Sequence, residues 1–417
     1  MIHVYNFLIN LIVFFSPAII ISRILSKKED PKRFFEKFAI SSSRRKIGNL
    51  IWFHSVSVGE LLSIVPIIKE LEKKNYVSQI LVTSSTLSSA KLFTKFNFKK
   101  TTHQFFPIDN NFFTNKFIDF WKPKVAFFID SEVWPNMLKN LEKRNIPKVL
   151  LNARISNKSF KRWRLLGSFS EKIFNKIDYF FPQNLETGKF LKKLRVTKIK
   201  NLGNLKFIQN KDKNSIYKFN SKKFSNKKIW CAASTHEGEE KICIEVYKKL
   251  SEKYYDLLLI IIPRHINRLK KIEKILIKFK MNYQLHSAKK KINNQTNIYI
   301  VDTYGETDLF YKVSPYVFMG KSITKEGGQN PLEPARANCK IFYGPNVSNF
   351  SEIYNFLRKK KIAFKVQNKK SLYLALKKCL NNSKNNKKNN QLEKIGKTIL
   401  KKNLIAIEKI ILKYNAY

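Results

Sequence analysis

Short apolar runs alternate with amphipathic stretches along most of this chain, and this alternation constrains the fold more than any other feature. One series of apolar runs falls within residues 49–182, where the stretches 60–74 and 134–144 have helical periodicity. A second series falls within residues 229–343, after the polar, lysine-rich stretch 209–228. Strands that alternate with helices predict parallel α/β sheets. We therefore predict two α/β units, separated near residue 208, with a cleft between them. The predicted strands are residues 49–53, 79–82, 125–129, 149–152 and 179–182 in the first unit and 229–233, 257–262, 298–301, 316–319 and 340–343 in the second.

The N-terminus is uncharged over residues 1–22, which contain no Asp, Glu, Lys or Arg. As a helix, a segment of this length would extend roughly 33 Å, against about 30 Å for the hydrocarbon core of a bilayer. Arg23, Lys27 and Lys28 follow directly, and basic residues beside a span mark its cytoplasmic side. A signal peptide would carry basic residues before the apolar run instead. We predict a membrane anchor over residues 1–24. The alternative is a buried or interfacial helix, which the proline and asparagines inside the run favour.

The chain is strongly basic, with 81 Lys and Arg against 30 Asp and Glu and a formal net charge of +51. Such a charge first suggests nucleic acid as the partner. However, the lysines are scattered along the chain, and the sequence contains no zinc-finger spacing, RNP-like segment or basic heptad region. An anionic membrane surface or an anionic lipid would account for the charge equally well.

The cysteines indicate a reducing compartment. Cys231, Cys243, Cys339 and Cys379 lie far apart in the sequence and form no Cys-x-x-Cys pair. They therefore fit neither a zinc site nor a disulfide framework, and we expect reduced, structural thiols in a cytosolic environment.

Polar side chains follow several strands of the first unit, at the point where each strand should end. Glu60 comes after the first strand at the start of a helix, where it could complement the helix dipole or act as a general base. Asp130 and Glu132 come after the third predicted strand, on the same side if the chain stays extended. The polar segment 152–156 follows the next strand. Because ligands of open α/β sheets bind at the carboxyl ends of strands, these residues are candidates for a site.

The loop at residues 320–333 of the second unit combines glycines with the start of a helix. Asn330 is placed as an N-cap, Pro331 at the first helical position and Glu333 three residues after the cap. The N–H groups at such a helix start can bind a phosphate. Glu333 could instead fold back onto its own helix as part of a capping box.

Other strand ends of the second unit carry candidate anion contacts. Arg264 comes directly after the strand 257–262, where it would make a charge-assisted contact with a phosphate. Residues 302–306 supply glycine-flanked N–H groups. Residues 234–240 offer either a further contact or only a helix start with acidic residues in its first turn. The repeated position at strand ends favours one ligand site over several unrelated polar surfaces.

The order of these motifs resembles the 3-deoxy-D-manno-octulosonic acid (Kdo) transferases of lipopolysaccharide synthesis. The resemblance covers most of the chain and rests on residues 54–60, 130–136, 152–156, 203–207, 234–240, 263–265, 302–306 and 327–333. It implies an α/β protein with the GT-B glycosyltransferase fold, in which two Rossmann-like parallel-sheet domains face a cleft and an N-terminal helix anchors them to the membrane. The implied domains are the anchor at 1–24, an acceptor domain at 25–208 and a CMP-Kdo-binding domain at 209–417 that includes a closing C-terminal helix.

The resemblance also implies roles for individual residues. Glu60 corresponds to the catalytic base, and Asp130 and Lys206 correspond to residues that stabilise the transition state. The implied contacts to CMP-Kdo are Pro263, Arg264, Tyr304, Gly305, Glu306, Asn330, Pro331, Leu332 and Glu333.

Some positions depart from the pattern that this family usually shows. Asp130 stands where the family usually has Glu, and its shorter side chain leaves open whether Glu132 shares the role. Lys321 stands in place of a Gly, and Gln329 in place of a His. These departures concern local ligand contacts and not the fold.

The implied reaction transfers Kdo from CMP-Kdo to the lipid A precursor, lipid IVA, with inversion at the anomeric carbon. Glu60 would accept the proton of the acceptor hydroxyl while cationic groups stabilise the departing phosphate. The sequence contains no Asp-x-Asp pair for a metal, so we expect a metal-free transfer without a cofactor. The expected partners are CMP-Kdo, the anionic lipid acceptor and the cytoplasmic face of the inner membrane, and not nucleic acid.

Two other functions are compatible with the sequence. Another membrane-associated GT-B enzyme would use a UDP-sugar donor, and release of a uridine nucleotide instead of a cytidine nucleotide would identify it. A basic nucleic-acid-binding protein would bind duplexes in a salt-dependent manner without transferring a sugar. The polar motifs at the strand ends argue against this second alternative.

Overall fold

A computed structural model describes residues 1–208, 224, 227–289, 292–293, 295–382 and 391–415. The chain forms two compact units. The first comprises Met1–Lys211 together with Glu393–Tyr417, and the second comprises Asp212–Leu392. Most of the polar stretch predicted between the units lies outside the described residues, and the predicted domain boundary at residues 208–209 falls at its edge.

The first unit is built on a six-stranded sheet in which every pairing is parallel. Its strands are β1 (Leu50–His54), β2 (Gln79–Ser84), β3 (Thr101–Phe105), β4 (Val125–Ile129), β5 (Lys148–Ala153) and β6 (Tyr179–Pro182). Its helices are α1 (Ile2–Leu25), α2 (Val58–Leu71), α3 (Leu87–Phe93), α4 (Asn111–Trp121), α5 (Pro135–Glu142), α6 (Asn157–Leu165), α7 (Ser168–Phe174) and α8 (Leu185–Lys193). The strand order is β3-β2-β1-β4-β5-β6. The strands predicted for this unit are confirmed to within two residues, and β3 was not predicted.

The core of the first unit lies on both faces of this sheet. Every residue of β1, β2, β4 and β5 is buried, as expected for parallel strands covered by helices on both sides. On one face, Trp52 and Phe128 pack against Phe117 of α4. On the other face, Phe53 and Phe127 stack with their ring centroids 4.8 Å apart. The continuous apolar runs in the sequence therefore correspond to strands buried on both sides.

The C-terminal helix, α15 (Gln391–Asn415), returns to the first unit. Ile407 and Ile411 are buried in the same apolar cluster as side chains of α2. The Asn403 side chain donates a hydrogen bond of 3.4 Å to the carbonyl oxygen of Leu202. This helix was predicted to belong to the CMP-Kdo-binding domain, and that prediction is wrong because the apolar stripe of the helix covers the sheet of the first unit.

The second unit is built on a seven-stranded sheet, again with every pairing parallel. Its strands are β7 (Lys228–Thr235), β8 (Leu257–Pro263), β9 (Tyr283–Leu285), β10 (Ile298–Ile300), β11 (Tyr316–Met319), β12 (Lys340–Tyr343) and β13 (Ala363–Lys365). Its helices are α9 (Glu239–Ser251), α10 (Leu269–Lys278), α11 (Thr307–Val313), α12 (Leu332–Arg336), α13 (Ser351–Lys359) and α14 (Lys369–Asn381). The strand order is β13-β12-β11-β7-β8-β10-β9. The predicted strands are again confirmed to within two residues, and β9 and β13 were not predicted.

Helix α1 confirms the predicted apolar helix at the N-terminus. By length and composition it is long and apolar enough to cross a membrane. Most of its apolar side chains are exposed, and that of Phe14 is 76% exposed. Two hydrogen bonds connect its first half to the body of the first unit. The Tyr5 hydroxyl donates to Asp109 over 2.7 Å, and Asn110 Nδ2 donates to Asn10 Oδ1 over 2.8 Å.

Candidate active site

The carboxyl ends of β1, β4 and β5 lie side by side, because these strands are parallel and adjacent in the sheet. Glu60 follows β1 and Asp130 follows β4. The Asp130 carboxylate raises the pKa of Glu60, in addition to the larger effect of burial. Both carboxylates in turn favour the charged form of Lys206. The structure therefore brings together the three residues predicted to be catalytic, while their roles stay a prediction.

Glu60 is held in place by the first turn of α2. Its Oε2 accepts hydrogen bonds from the N–H groups of Val56, at 2.7 Å, and Ser57, at 3.4 Å. The Ser57 hydroxyl donates to Glu60 Oε1 over 2.8 Å and also accepts from the Glu60 N–H, which completes a capping box. Burial raises the pKa of Glu60, the Asp130 and Glu132 carboxylates raise it further, and the Ser57 and Val56 hydrogen bonds lower it. The net shift is upward, towards a more basic carboxylate.

Asp130 lies in a left-handed backbone conformation, with φ +70°, directly after β4. Its N–H donates to the carbonyl oxygen of Leu151, and its own carbonyl oxygen accepts from the Arg154 N–H over 2.9 Å. The side chain is buried, and its Oδ1 has no hydrogen-bond partner among the described residues. Burial raises the pKa of Asp130, against the lowering effect of Lys206 and Arg154. A buried acceptor that the protein leaves without a donor is suited to contact a ligand.

Lys206 is positioned by two asparagine side chains. It lies in a short 3-10 helix, Leu205–Ile208. Asn152 Oδ1, at the end of β5, accepts from the Leu205 N–H over 2.9 Å, and Asn204 Oδ1 accepts from the Lys206 N–H over 2.9 Å. Burial lowers the pKa of Lys206, while Asp130 and Glu60 raise it. Asn152 was predicted only as part of a polar segment, and its contact with residues distant in the sequence could not be read from that segment.

The Glu132 carboxylate contacts other side chains than those beside Asp130. The Trp134 indole N–H donates to Glu132 Oε2 over 2.8 Å, and His54 Nε2 lies 3.4 Å from the same oxygen. His54 itself is fully buried, and its Nδ1 lies 2.9 Å from the Thr83 hydroxyl. The prediction that Asp130 and Glu132 share one side of an extended strand is wrong, because β4 ends at Ile129.

In the second unit, the buried carboxylate of Glu239 holds the glycine loop that follows β11. Its two oxygens accept hydrogen bonds from the N–H groups of Lys321 (2.7 Å), Ser322 (2.9 Å) and Ile323 (3.1 Å). The His236 N–H donates to the same carboxylate over 2.9 Å. From the sequence, Glu239 was predicted as part of a segment that offers either a ligand contact or a helix start with acidic residues in its first turn. Its role in holding the loop was missed because the partners lie more than 80 residues away in the sequence.

Two glycines are required by the geometry of this loop. A Cβ at Gly320 would lie 2.4 Å from the carbonyl oxygen of Ser234, so a side chain there cannot fit without moving the backbone. Gly327 has φ +115°, which side chains other than glycine rarely adopt. Gly320 thus lets the loop pass close to the backbone of β7.

Helix α12 begins one residue later than predicted and is short. The sequence analysis placed Pro331 at the first helical position, whereas the helix begins at Leu332. Asn330 Oδ1 accepts from the Leu332 N–H over 3.1 Å, so Asn330 does bond to the helix start. Glu333 is half-buried and acts electrostatically on Tyr311 and Arg336.

The remaining residues that were predicted to contact CMP-Kdo also follow strands of the second sheet. Pro263 is the last residue of β8 and is buried, while the Arg264 side chain is exposed and its N–H donates to the carbonyl oxygen of Thr235. After β10, Tyr304 is 75% exposed and Gly305 has φ +87°. Glu306 accepts from the Thr303 hydroxyl and lies 3.3 Å from His286 Nε2.

Cationic and hydrogen-bonding side chains lie near the residues that were predicted to contact CMP-Kdo. The His236 and His265 rings are 5.6 Å apart, and Gln329 Nε2 lies 3.5 Å from His236 Nε2. Burial lowers the pKa of His236, and Lys321, His265 and Lys325 add to the lowering against the opposing effect of Glu239. The departures from the family pattern, Lys321 and Gln329, therefore lie beside the two histidines.

Each unit, taken by itself, carries a cluster of polar and charged side chains at the carboxyl edge of its sheet. The first unit offers a carboxylate with a raised pKa, a half-buried lysine and a buried carboxylate oxygen without a donor among the described residues. Such groups can accept a proton and stabilise developing charge. The second unit offers a rigid loop, a helix start and several cations at the carboxyl edge of its sheet. Such groups can hold an anionic ligand.

Comparison with known proteins relates most of the chain to one family. Residues 32–209 match the family model described as "3-Deoxy-D-manno-octulosonic-acid transferase (kdotransferase)". A "3-deoxy-D-manno-octulosonic acid transferase" of Rickettsia bellii is 34% identical over 390 residues, which cover 92% of this chain and 92% of the relative. A relative of the same description from Haemophilus influenzae is 32% identical over 313 residues, which cover 74% of this chain and 73% of the relative.

The fold has counterparts among solved structures. A UDP-GlcNAc 2-epimerase from Neisseria meningitidis, solved with UDP-GlcNAc bound, aligns with a TM-score of 0.60 at 13% identity. The alignment covers 88% of this chain and 100% of the epimerase. At this identity the likeness concerns the fold alone, and it confirms the predicted GT-B fold of two Rossmann-like units.

Proposed function

Because this chain belongs to the 3-deoxy-D-manno-octulosonic acid (Kdo) transferase family of glycosyltransferases, we propose that it transfers Kdo from CMP-Kdo to lipid IVA. The transfer inverts the anomeric carbon and takes place at the cytoplasmic face of the inner membrane. Lipid IVA is an anionic, diphosphorylated lipid, which suits a chain with a net charge of +51.

The observation that carries this proposal is the cluster of Glu60, Asp130 and Lys206 at neighbouring strand ends of the first unit. Glu60 acts as the general base on the acceptor hydroxyl. Its raised pKa supports this role, because a more basic carboxylate takes up the proton more readily in the transition state. Its capping box fixes the direction of the carboxylate before the substrate binds.

Asp130 and Lys206 stabilise the reacting sugar. Lys206 is half-buried, and the neighbouring Asp130 and Glu60 carboxylates favour its charged form, which interacts strongly with the carboxylate of Kdo. The unpartnered Oδ1 of Asp130 accepts a hydrogen bond from the sugar. The partners of Glu132 support assigning the second carboxylate role to Asp130, because Glu132 is engaged by Trp134 and His54.

CMP-Kdo binds to the second unit. Arg264 contacts the phosphate, and Tyr304, Gly305 and Glu306 line the nucleotide. Asn330, Pro331, Leu332 and Glu333 present the start of α12 to it. Lys321, which replaces a glycine of the family pattern, adds a cation near this phosphate, since it lies beside His236 on the loop held by Glu239. The reaction needs neither a metal nor a cofactor, because these cations neutralise the leaving group.

The experiment is incubation of the purified chain with CMP-Kdo and lipid IVA, with the lipid products measured by mass spectrometry and the released nucleotide by chromatography. We expect a lipid heavier by one or more Kdo residues and release of CMP. The rate should be unchanged by EDTA. Transfer from a UDP-sugar with release of a uridine nucleotide would contradict the proposed donor. A loss of activity in EDTA, restored by a divalent cation, would contradict the metal-free mechanism.

A further inference from the structure

A basic pocket lies in the first unit, where the end of α1 meets α3. The cavity has a volume of about 330 Å³. We call it the basic pocket and define it by Arg23, Lys27, Lys28, Thr86, Ser88 and Lys91, which line it. It thus combines four cationic side chains with two hydroxyl groups, and it contains none of the residues to which the proposed function gives a role.

Most of the positive charge in this pocket is not neutralised by the protein. Lys27, Lys28 and Lys91 have no carboxylate within ion-pair distance in the part of the chain that the structure describes. Arg23 does form an ion pair, at 3.0 Å, with Glu29, and Glu29 is shared with Lys37. Cations placed together in this way repel one another, so a bound anion would relieve that repulsion. The pocket is therefore suited to a ligand with more than one negative charge.

Two successive hydrogen bonds, both through Val56, connect the pocket to the proposed base. The Thr86 hydroxyl, on the pocket wall, donates to the carbonyl oxygen of Val56 over 3.3 Å. The N–H of the same Val56 donates to Glu60 Oε2 over 2.7 Å. Ser89, in the first turn of α3, also donates to the Val56 carbonyl over 3.3 Å. A group held in the pocket is therefore placed beside the loop that fixes the Glu60 carboxylate.

The pocket also lies at the charged end of the candidate membrane helix. Arg23 is in the last turn of α1, and Lys27 and Lys28 follow the helix directly. Positively charged residues at the end of such a helix lie at the level of lipid headgroups. The phosphate of a lipid that stays in the membrane is therefore within the reach of the pocket.

We propose that the basic pocket binds a phosphate monoester of the lipid acceptor and so positions the acceptor hydroxyl at Glu60. This inference rests on the proposed function, which supplies a diphosphorylated acceptor. A phosphate monoester carries a charge of about −1.5 to −2 at neutral pH and has several strong acceptor oxygens. Three uncompensated lysines and the Ser88 hydroxyl match this charge and these oxygens better than they match the singly charged phosphodiester of a common phospholipid.

The test replaces Lys27, Lys28 and Lys91 together by Gln in the full-length chain, solubilised in neutral-detergent micelles. The matched control replaces Lys189, Lys192 and Lys193 of α8 by Gln. The control removes the same charge from exposed positions after β6, at the opposite side of the sheet from β2, which leads into the pocket. Thermal unfolding of both triple variants checks that each is folded.

Each protein is assayed with lipid IVA and with the two analogues that each lack one of its phosphates. We expect the unaltered chain to prefer lipid IVA over one analogue by roughly 10- to 100-fold in kcat/KM, mainly through KM, as for loss of charge-assisted contacts. The pocket variant should lose this preference, and the α8 control should keep it. A preference that survives in the pocket variant overturns the assignment. So does an equal loss on all three lipids, which indicates general attraction to anionic surfaces.

A binding measurement separates this inference from the proposed function. The Kd of each lipid, and of phosphatidylglycerol, is determined in the same micelles without donor. We expect the same preference for the complete acceptor, abolished in the pocket variant. If this binding preference is found but no lipid accepts Kdo, the proposed function fails while the pocket assignment stands. Equal binding of phosphatidylglycerol and lipid IVA overturns the assignment to the acceptor.

Discussion

The Glu60 carboxylate has one structural role and one proposed catalytic role. Its carboxylate closes the capping box of α2 through Ser57 and Val56, and the same carboxylate is the proposed base. The hydrogen bonds that orient it also make it less basic, whereas burial and the Asp130 carboxylate make it more basic. Because both effects act on one side chain, substitutions that separate them are the most informative ones.

Glu60→Gln should abolish turnover while preserving the fold. Glutamine can still complete a capping box, so the start of α2 is retained, but it cannot accept the proton. We expect kcat to fall by about two to four orders of magnitude. The affinity for CMP-Kdo should be unchanged, because the proposed donor contacts lie in the second unit. Turnover within a few fold of the unaltered enzyme would show that another group is the base. Steady-state kinetics and calorimetric titration measure the two effects.

Ser57→Ala is the converse substitution, because it removes the cap and leaves the carboxylate. Loss of an N-cap hydroxyl costs about 0.5–2 kcal/mol of stability. The Ser57 hydrogen bond lowers the pKa of Glu60, so its removal raises this pKa further above the usual range. A base works only when ionised, and its rate falls as the pH drops through its pKa. The acid limb of the pH profile of kcat/KM should therefore move to higher pH in this variant. A limb that stays in place or moves to lower pH would contradict the assignment of that limb to Glu60.

Arg264→Ala and Glu333→Ala test the donor site residue by residue. Loss of a hydrogen bond to a charged group costs roughly 1.5–3 kcal/mol, and we expect Arg264→Ala to weaken CMP binding by that amount. Glu333→Ala should weaken it as well if the carboxylate holds the ribose hydroxyls. Calorimetric titration with CMP and thermal unfolding are both needed. If Glu333→Ala lowers the unfolding temperature and leaves CMP affinity unchanged, Glu333 only supports its helix and its interactions with Arg336 and Tyr311.

At the scale of single residues, the sequence predicted site residues that follow strands. It missed residues whose hydrogen-bond partners lie far away in the sequence. Asp130 and Arg264 stand out because a charged side chain follows the end of an apolar run, and Glu60 stands out because it lies at the start of the helix after such a run. Glu239 and Asn152 do not stand out, because their function is to bond backbone N–H groups of segments distant in the sequence. Such contacts depend on the tertiary fold, so no local sequence pattern predicts them.

At the scale of elements, the sequence predicted every central strand and one edge strand, β6, and missed the other three edge strands. The strands that were found are buried runs of apolar residues. The missed strands β3, β9 and β13 all lie at sheet edges. Two of them have only three residues, and β3 begins with the polar sequence Thr-Thr-His-Gln. An edge strand is partly exposed, so it lacks the apolar run that marks a central strand.

Glu239→Gln should loosen the glycine loop that carries the donor contacts. The carboxylate accepts three N–H groups of this loop, and an amide of the same shape is a weaker acceptor that also introduces N–H donors beside them. We expect a loss of stability of about 1–3 kcal/mol and weaker CMP binding. Glu240→Gln is the matched control, because Glu240 is equally buried but pairs with Arg268. The control should lose stability with a much smaller change in CMP affinity. Equal effects of the two substitutions on CMP binding would show that the loop is not held by Glu239.

At the scale of the whole molecule, the proposed lipid acceptor bears on how a strongly basic chain meets a membrane. The acyl chains of the proposed acceptor stay in the bilayer, so the first unit must operate at its surface. Helix α1 exposes apolar side chains along most of its length, yet Tyr5 and Asn10 bond to Asp109 and Asn110 of the same unit. A helix that spans the membrane has to break these two bonds, whereas an interfacial helix can keep them. The scattered lysines add attraction to anionic lipid in either case.

Removal of residues 1–22 should weaken membrane association without unfolding the chain. The first strand begins at Leu50, and Asp109 keeps the hydrogen bonds from the Asn136 and Met137 N–H groups when Tyr5 is gone. Arg23 stays in place, so the basic pocket is retained. The truncated enzyme should still transfer Kdo to acceptor dispersed in detergent. Without the apolar helix, its remaining attraction to membranes is electrostatic, and salt screens it over about 8–10 Å at physiological ionic strength. Fractionation of cells in low and high salt should therefore release the truncated chain at high salt and leave the full-length chain with the membranes. Firm sedimentation of the truncated chain at high salt would place the membrane anchor in another part of the molecule.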